Sequence, residues 1–331
     1  MHITRDALLK LTKDTVEKRF THDQKVIAVF LVGSIRSETA VIDSIADVDL
    51  LVLHNGDIPR DREIIKLSNE YHFDISYEPA SLYAQPRDLR GEGWRGWNMW
   101  DPLLLYQKGR FFEYTQSIVR AQFDEPLNVI KRSRFFAEPA RQAWFQLQLD
   151  PESASPSKIL KIVSDAANAV ASLSGPPLTE RSLLSGFLER AKSIHVEELI
   201  KPLVTSISRN VSPETIKLWL PEWESCFSAA SLSPADLSIH SCRLTYYKNA
   251  ILSQLNSDFP AASLWPLLTT WSLSVENGNL SKEQVDGWNA VCAELGLSSS
   301  SFQERLQSID IYLDMLEEVL DQLETDNGLK N

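Results

Sequence analysis

Cysteine is scarce in this chain: three residues in 331, Cys226, Cys242 and Cys292, odd in number and widely separated. No CxxC occurs and no zinc spacing, which excludes a disulfide framework and points to a reducing, cytoplasmic compartment. The six histidines form neither HxxxH nor HExxH, so a helical zinc motif is absent. No run approaches the ~20 apolar residues that a membrane helix requires. The opening MHITRDALLKLTKD lacks the apolar stretch of a signal peptide. Positive charge is also in short supply, with 33 Lys and Arg against 45 Asp and Glu, a net −12. That argues against a partner bound through a nucleic-acid backbone, while leaving room for a local basic pocket. Neither GxxxxGK[ST] nor GxSxG is present, so a P-loop and a nucleophile elbow are both unsupported.

What remains is a globular composition, 43% apolar and 24% charged, long enough for two domains. Nine tryptophans are many for this length, and they belong in the core or in pocket walls. Residues 3–20 carry Leu8, Leu9, Leu11, Val16 and Phe20 at mainly helical spacing, with Thr4 or Asp6 as cap. KVIAVFLVG is a β-branched apolar run closed by glycine, a buried strand. VDLLVLHN is a second, ended by Asn55-Gly56. Residues 59–71 read as a helix opened by Pro59. YHFDISYE alternates, with Asp74, Ser76 and Glu78 on one face and Phe73, Ile75 and Tyr77 on the other. RDLRGEGWRGWNMWDP reads as a loop, and LLLYQKGRFFEY as two short strands joined at Lys108-Gly109. From about residue 115 helix follows helix, broken by segments rich in Pro, Ser and Gly. The expected architecture is α+β: a mixed sheet flanked by helices over 1–120, then an all-α bundle over 121–331.

The second strand raises the functional question. Alternation puts Asp47 and Asp49 on one face of it, with Leu51 and Leu53. Two carboxylates on a half-buried strand repel each other and lose hydration, so something must compensate. Arginine partners would do so, and so would a divalent cation. Paired carboxylates suit Mg²⁺, which prefers oxygen and commonly takes one or two carboxylates plus substrate phosphates. Asp74, on a third strand, would complete a cluster able to hold two ions. Gly33-Ser34 ends the adjoining strand, where a bare Cα lets backbone approach a phosphate. Taken alone, an Asp-x-Asp is most often a surface turn or an ion-paired edge; the order of strand, Gly-Ser, Asp-x-Asp and third acid is more specific.

LVGS, then DVDLLV, then FDISYE resemble the nucleotidyltransferase superfamily with the polymerase-beta-like core, over roughly the first hundred residues. The helical remainder, with KIVSDAANAVASLSGPPLTERSLL, is similar in style to the bundle of kanamycin-type antibiotic nucleotidyltransferases. The resemblance implies that Gly33 and Ser34, with Arg36, contact the phosphates of an NTP. It implies that Asp47, Asp49 and Asp74 are the catalytic and metal-binding acids, holding two Mg²⁺. The reaction implied is attack of an acceptor hydroxyl on the α-phosphate, with pyrophosphate leaving and the nucleoside monophosphate, AMP by family expectation, transferred to a small molecule or a protein. This chain departs from the family's frequent Gly-Ser-x-Ala-Arg-Gly, reading GSIRSE with Glu38 in place of the second glycine and Arg36 one position early. Ala46 precedes Asp47 where Ser is frequent.

Arg87, Arg90 and Arg95 offer paired donors to phosphate, and Trp94, Trp97 and Trp100 faces for a base; the alternative is a surface segment pinned by its tryptophans to the helical domain. Glu138, Arg141, Lys158, Lys161 and Asp165 fall on early bundle helices, Glu138 as a conceivable base and all of them as a solvated face. The apolar stripe Ile311, Leu313, Leu316, Val319, Leu320 and Leu323 fits a bundle helix or a homodimer face. The competing reading is a non-catalytic or toxin–antitoxin-type partner protein built on the same domain.

Overall fold

The computed structural model describes residues 4–33, 46–68 and 71–329. It divides into two compact units, residues 1–123 and 124–331. The first is an α+β unit around a mixed sheet, and the second is helical.

Helix α1 (Arg5–Phe20) starts where Thr4 accepts the amide of Ala7, closing an orphan N–H of the first turn. Strands β1 (Val26–Leu31), β2 (Ala46–His54), β3 (Arg62–Lys66), β4 (Tyr71–Pro79) and β5 (Leu103–Gln107) form a sheet of order β3-β4-β2-β1-β5. β2 and β4 run parallel, with Asp47 opposite His72 and Asp49 opposite Asp74. The other pairings are antiparallel. Leu8, Val16 and Phe20 of α1 pack with Val29, Leu31, Val48, Leu50, Val52, Phe73 and Ile75 on one sheet face. The opposite face buries Ala28, Phe30, Leu51 and Leu53 beneath Leu89, Met99, Phe112, Val119 and Phe123. Met99 lies in α2 (Arg95–Trp100), and Phe112 and Val119 in α3 (Phe111–Arg120).

Three expectations are corrected. Residues 62–66 form strand β3, not part of a 59–71 helix, because Ile64 and Ile65 face opposite sides of a backbone paired to β4. Residues after Gly109 are helix α3, not a second strand. Gly109 turns the chain at φ +64°, a region glycine enters without steric cost, and Phe112, Thr115 and Val119 then repeat at helical spacing toward the sheet. Within the supposed loop 87–100, Asp88–Gly91 is a 3₁₀ turn and Arg95–Trp100 is α2.

The second unit contains, among the described residues, α4 (Pro126–Leu149), α5 (Pro156–Ala171), α6 (Leu183–Ser193), α7 (Ile200–Ile207), α8 (Pro213–Ala230), α9 (Leu244–Leu255), α10 (Leu264–Asn277), α11 (Lys282–Leu295) and α12 (Phe302–Asp326). Ser155 and Ser212 cap α5 and α8 ahead of a first-turn proline, and Ser281 with Gln284 forms a capping box on α11. Trp223, Trp265 and Trp271 fill the core, the Trp223 indole donating to Thr270 at 2.9 Å. On α12, Leu313, Leu316 and Leu320 are buried while Ile311 is exposed, so Ile311 leaves the expected stripe. Among the described residues no helix is long and apolar enough to cross a membrane.

Candidate metal centre

The face of β2 that buries Leu51 and Leu53 changes character two residues earlier, at Asp49 and Asp47. Parallel register carries the same change onto β4, where His72 and Asp74 stand beside them. Asp47, His72 and Asp74 are each at least 95% buried. One ligand atom from each lies within 4.8 Å of the others. Asp49, half-buried, is turned toward the end of β1. There Val32 donates its amide to the Asp49 carbonyl at 2.9 Å, and Gly33 follows at φ +74°. A Cβ on Gly33 would stand 2.0 Å from an Asp49 carboxylate oxygen. Only glycine permits both that backbone conformation and that approach.

The opposing charge comes from β3. Arg62 grips Asp74 with both arms of its guanidinium, Nε to Oδ1 at 2.7 Å and Nη2 to Oδ2 at 2.6 Å. Antiparallel pairing places Arg62 opposite Ser76, one diagonal step from Asp74 on the same sheet face. A bidentate pair of this length is charge-assisted and directional. Each carboxylate oxygen has two lone-pair directions, so acceptance from Arg62 leaves acceptor capacity at Asp74.

The structure therefore brings Asp47, Asp49, Asp74 and Gly33 of the expected set to one end of one sheet face. Ser34 and Arg36 lie outside the described residues. His72 carries no ligand spacing along the chain, and the only signal for it is that it shares the alternation parity of Asp74. Arg62 was hidden inside a segment read as helix, where sheet register has no meaning. The donor set of the described cluster fits a divalent cation, with two oxygens and one imidazole nitrogen within reach of a common centre.

The Arg/Trp segment has other commitments. Arg95 bonds Glu78 and Glu92 at 3.2 and 3.0 Å, and Arg90 donates to the Ile118 carbonyl and to Gln122. Trp100 stacks on Phe123 at 4.6 Å, and Trp97 meets the same ring edge-on at 5.0 Å. Trp97 and Trp100 pin the segment to Phe123 within the first unit. Tyr83, fully buried, donates to Glu78 at 2.7 Å. Burial and the neighbouring carboxylate hold its phenol well above the ordinary range.

In the helical unit Arg141 bridges Asp310 and Asp314, and Glu138 is exposed. Asp165 is not on a solvated face: it is 9% exposed and paired with Lys161 at 2.5 Å. Burial raises its carboxyl above the usual range, and the Lys161 ammonium pulls partly back. Cys226 and Cys292 are buried thiols, Cys292 pushed up by burial to about 12, which suits apolar packing over reactivity.

No family model and no curated protein matches the sequence. Among solved structures, the chain aligns with a nucleotidyltransferase-like protein from Exiguobacterium sibiricum 255-15. The alignment covers 95% of this chain and 91% of that one, at 11% identity and a TM-score of 0.30.

Proposed function

We propose that the chain is a divalent-cation-dependent nucleotidyltransferase that moves a nucleoside monophosphate, AMP in our reading, from an NTP to a hydroxyl on a small molecule or protein. The observation that carries this is the register of β2 against β4, which sets Asp49 beside Asp74 and Asp47 beside His72, with Gly33 just beyond β1 against Asp49.

In this reading Asp47, Asp49 and Asp74 hold cations against the triphosphate, with His72 beside them. The bound cation supplies charge neutralisation at the phosphates. The bare backbone at Gly33 lets the polyphosphate approach the strand end, and Ser34 and Arg36 would add donors there. The acceptor oxygen bonds to the α-phosphorus, the α–β bridging P–O bond breaks, and its electron pair leaves on pyrophosphate. The acceptor proton passes to a carboxylate oxygen of Asp74, which Arg62 holds in a fixed orientation. Carboxylates packed at the edge of a low-dielectric core act more strongly on a phosphate–cation complex than they would in water.

The test is pyrophosphate release with ATP and either Mg²⁺ or Mn²⁺, over a panel of hydroxylated acceptors that includes the protein itself. Release matched mole for mole by nucleotidylated acceptor, and lost in Asp49→Asn, is the expected result. NTP binding without release across the panel would overturn it.

The Arg62–Asp74 pair favours a second reading. An acid already neutralised by arginine suits a domain that holds a partner protein without transferring to it. That reading expects no NTP-dependent change in melting temperature with Mg²⁺ or Mn²⁺.

A further inference from the structure

We infer that the Asp47–His72–Asp74 cluster selects a first-row transition divalent cation over Mg²⁺, with His72 as the residue that decides the choice. The inference deepens the metal part of the function proposed above. It rests on that reading of the acids as cation ligands, but not on the transfer reaction.

The geometry is that of one centre with mixed donors. Carboxylate oxygens of Asp47 and Asp74 and a ring nitrogen of His72 lie within 4.8 Å of one another. Metal–ligand bonds of about 2 Å place neighbouring ligands of one ion about 3–4 Å apart. Rotamer adjustments of an ångström or so would therefore close the cluster. His72 is held for this by the sheet: β4 is hydrogen-bonded on both edges, to β2 and to β3, and His72 faces Asp47 across the parallel ladder. It is 1% exposed, so it could not swing aside into solvent to leave an all-oxygen site.

Ligand chemistry then discriminates. Mg²⁺ demands oxygen donors in near-ideal octahedral geometry and gives up its waters reluctantly. Imidazole suits Zn²⁺, Fe²⁺ and related ions, and affinity at a mixed N/O site rises from Mn²⁺ toward Zn²⁺. All three ligands are 1–4% exposed, so an ion bound by them would exchange water for protein donors, which Mg²⁺ does reluctantly.

The experiment is Mn²⁺ titration of the full chain followed by electron paramagnetic resonance, with Mg²⁺ and Zn²⁺ as competitors and no nucleotide. Expected are stoichiometric Mn²⁺ uptake, displacement by equimolar Zn²⁺, and displacement by Mg²⁺ only in large excess. His72→Asn should weaken Mn²⁺ at least as much as loss of an outer-sphere partner does, about 10–100-fold. His72→Asp, which restores an all-oxygen set, should shift preference back toward Mg²⁺. Circular dichroism confirms that each variant is folded. Should a substitution unfold the protein, the wild-type competition order alone decides. Absence of Mn²⁺ uptake, displacement by Mg²⁺ at concentrations comparable to Mn²⁺, or unchanged affinity in folded His72→Asn would overturn the inference. Loss of selectivity with intact pyrophosphate release would sink this inference and leave the transferase reading standing; selective uptake without release would do the reverse.

Discussion

Arg62 on β3 holds Asp74 on β4 by two hydrogen bonds of 2.7 and 2.6 Å, across a strand pair that places them diagonally on one face of the sheet. Asp74 is 3% exposed and Arg62 about a third exposed along its side chain. The pair answers, in the protein's own residues, the desolvation problem that acids in an apolar strand create. It does so for Asp74, whereas Asp47, equally buried, shares its neighbourhood with His72.

Arg62→Met should therefore destabilise the fold by about 1–3 kcal/mol, because a buried carboxylate loses its cation while the apolar stem is kept. Added Mn²⁺ should recover part of that loss by supplying the missing charge. Urea unfolding with and without Mn²⁺ measures both. A variant as stable as wild type without metal would show that the pair is not the counterion of Asp74.

Asp49→Asn should reduce pyrophosphate release by about a hundredfold or more, the scale of losing one preorganised electrostatic contact. The fold should survive, since removing one like charge from the cluster relieves repulsion. Turnover and melting temperature, measured side by side, separate the two effects. Wild-type turnover in a folded variant would remove Asp49 from the site.

Gly33→Ala should cost about 1–2 kcal/mol from the left-handed backbone alone. The new methyl also collides with the Asp49 carboxylate, so activity should fall further than stability explains. Urea midpoints and pyrophosphate release, compared with Gly56→Ala, make the distinction. Gly56 shares a positive φ of 81° but its Cβ would meet nothing within 4 Å.

Asp165 provides a pH test in the helical unit. Its carboxyl is raised in the fold by burial, with Lys161 offsetting part of the rise. Below the unfolded value both states are protonated and no cost arises. As pH climbs through the raised folded value, the native state must ionise a buried group and stability is lost. Asp165→Asn should therefore stabilise the protein at pH 7 and have little effect near pH 3. Denaturant midpoints at the two pH values report the sign, and greater destabilisation at pH 7 would mean that the Lys161 pair outweighs burial.

Much of this architecture was legible in the chain. Val26–Leu31 is too apolar and β-branched to be anything but a buried strand, and Thr4 announces the start of α1 through local hydrogen-bond chemistry. The two-residue repeat alone put Asp47 and Asp49 on one face. Residues 62–66 were not legible, because a five-residue segment with two adjacent isoleucines satisfies helix and strand patterns equally, and only pairing with β4 decides. Gly109 likewise reads as a hairpin turn until Phe112 and Val119 find the sheet.

Local periodicity, then, determined from the sequence which residues share a strand face and where most helices begin, because those depend on neighbours a few positions away. Tertiary structure alone decided that β2 and β4 run parallel and in register, and that His72 and Arg62 join the acids. Strand order and register are set by contacts between segments tens of residues apart, and no spacing along the chain encodes which edge finds which.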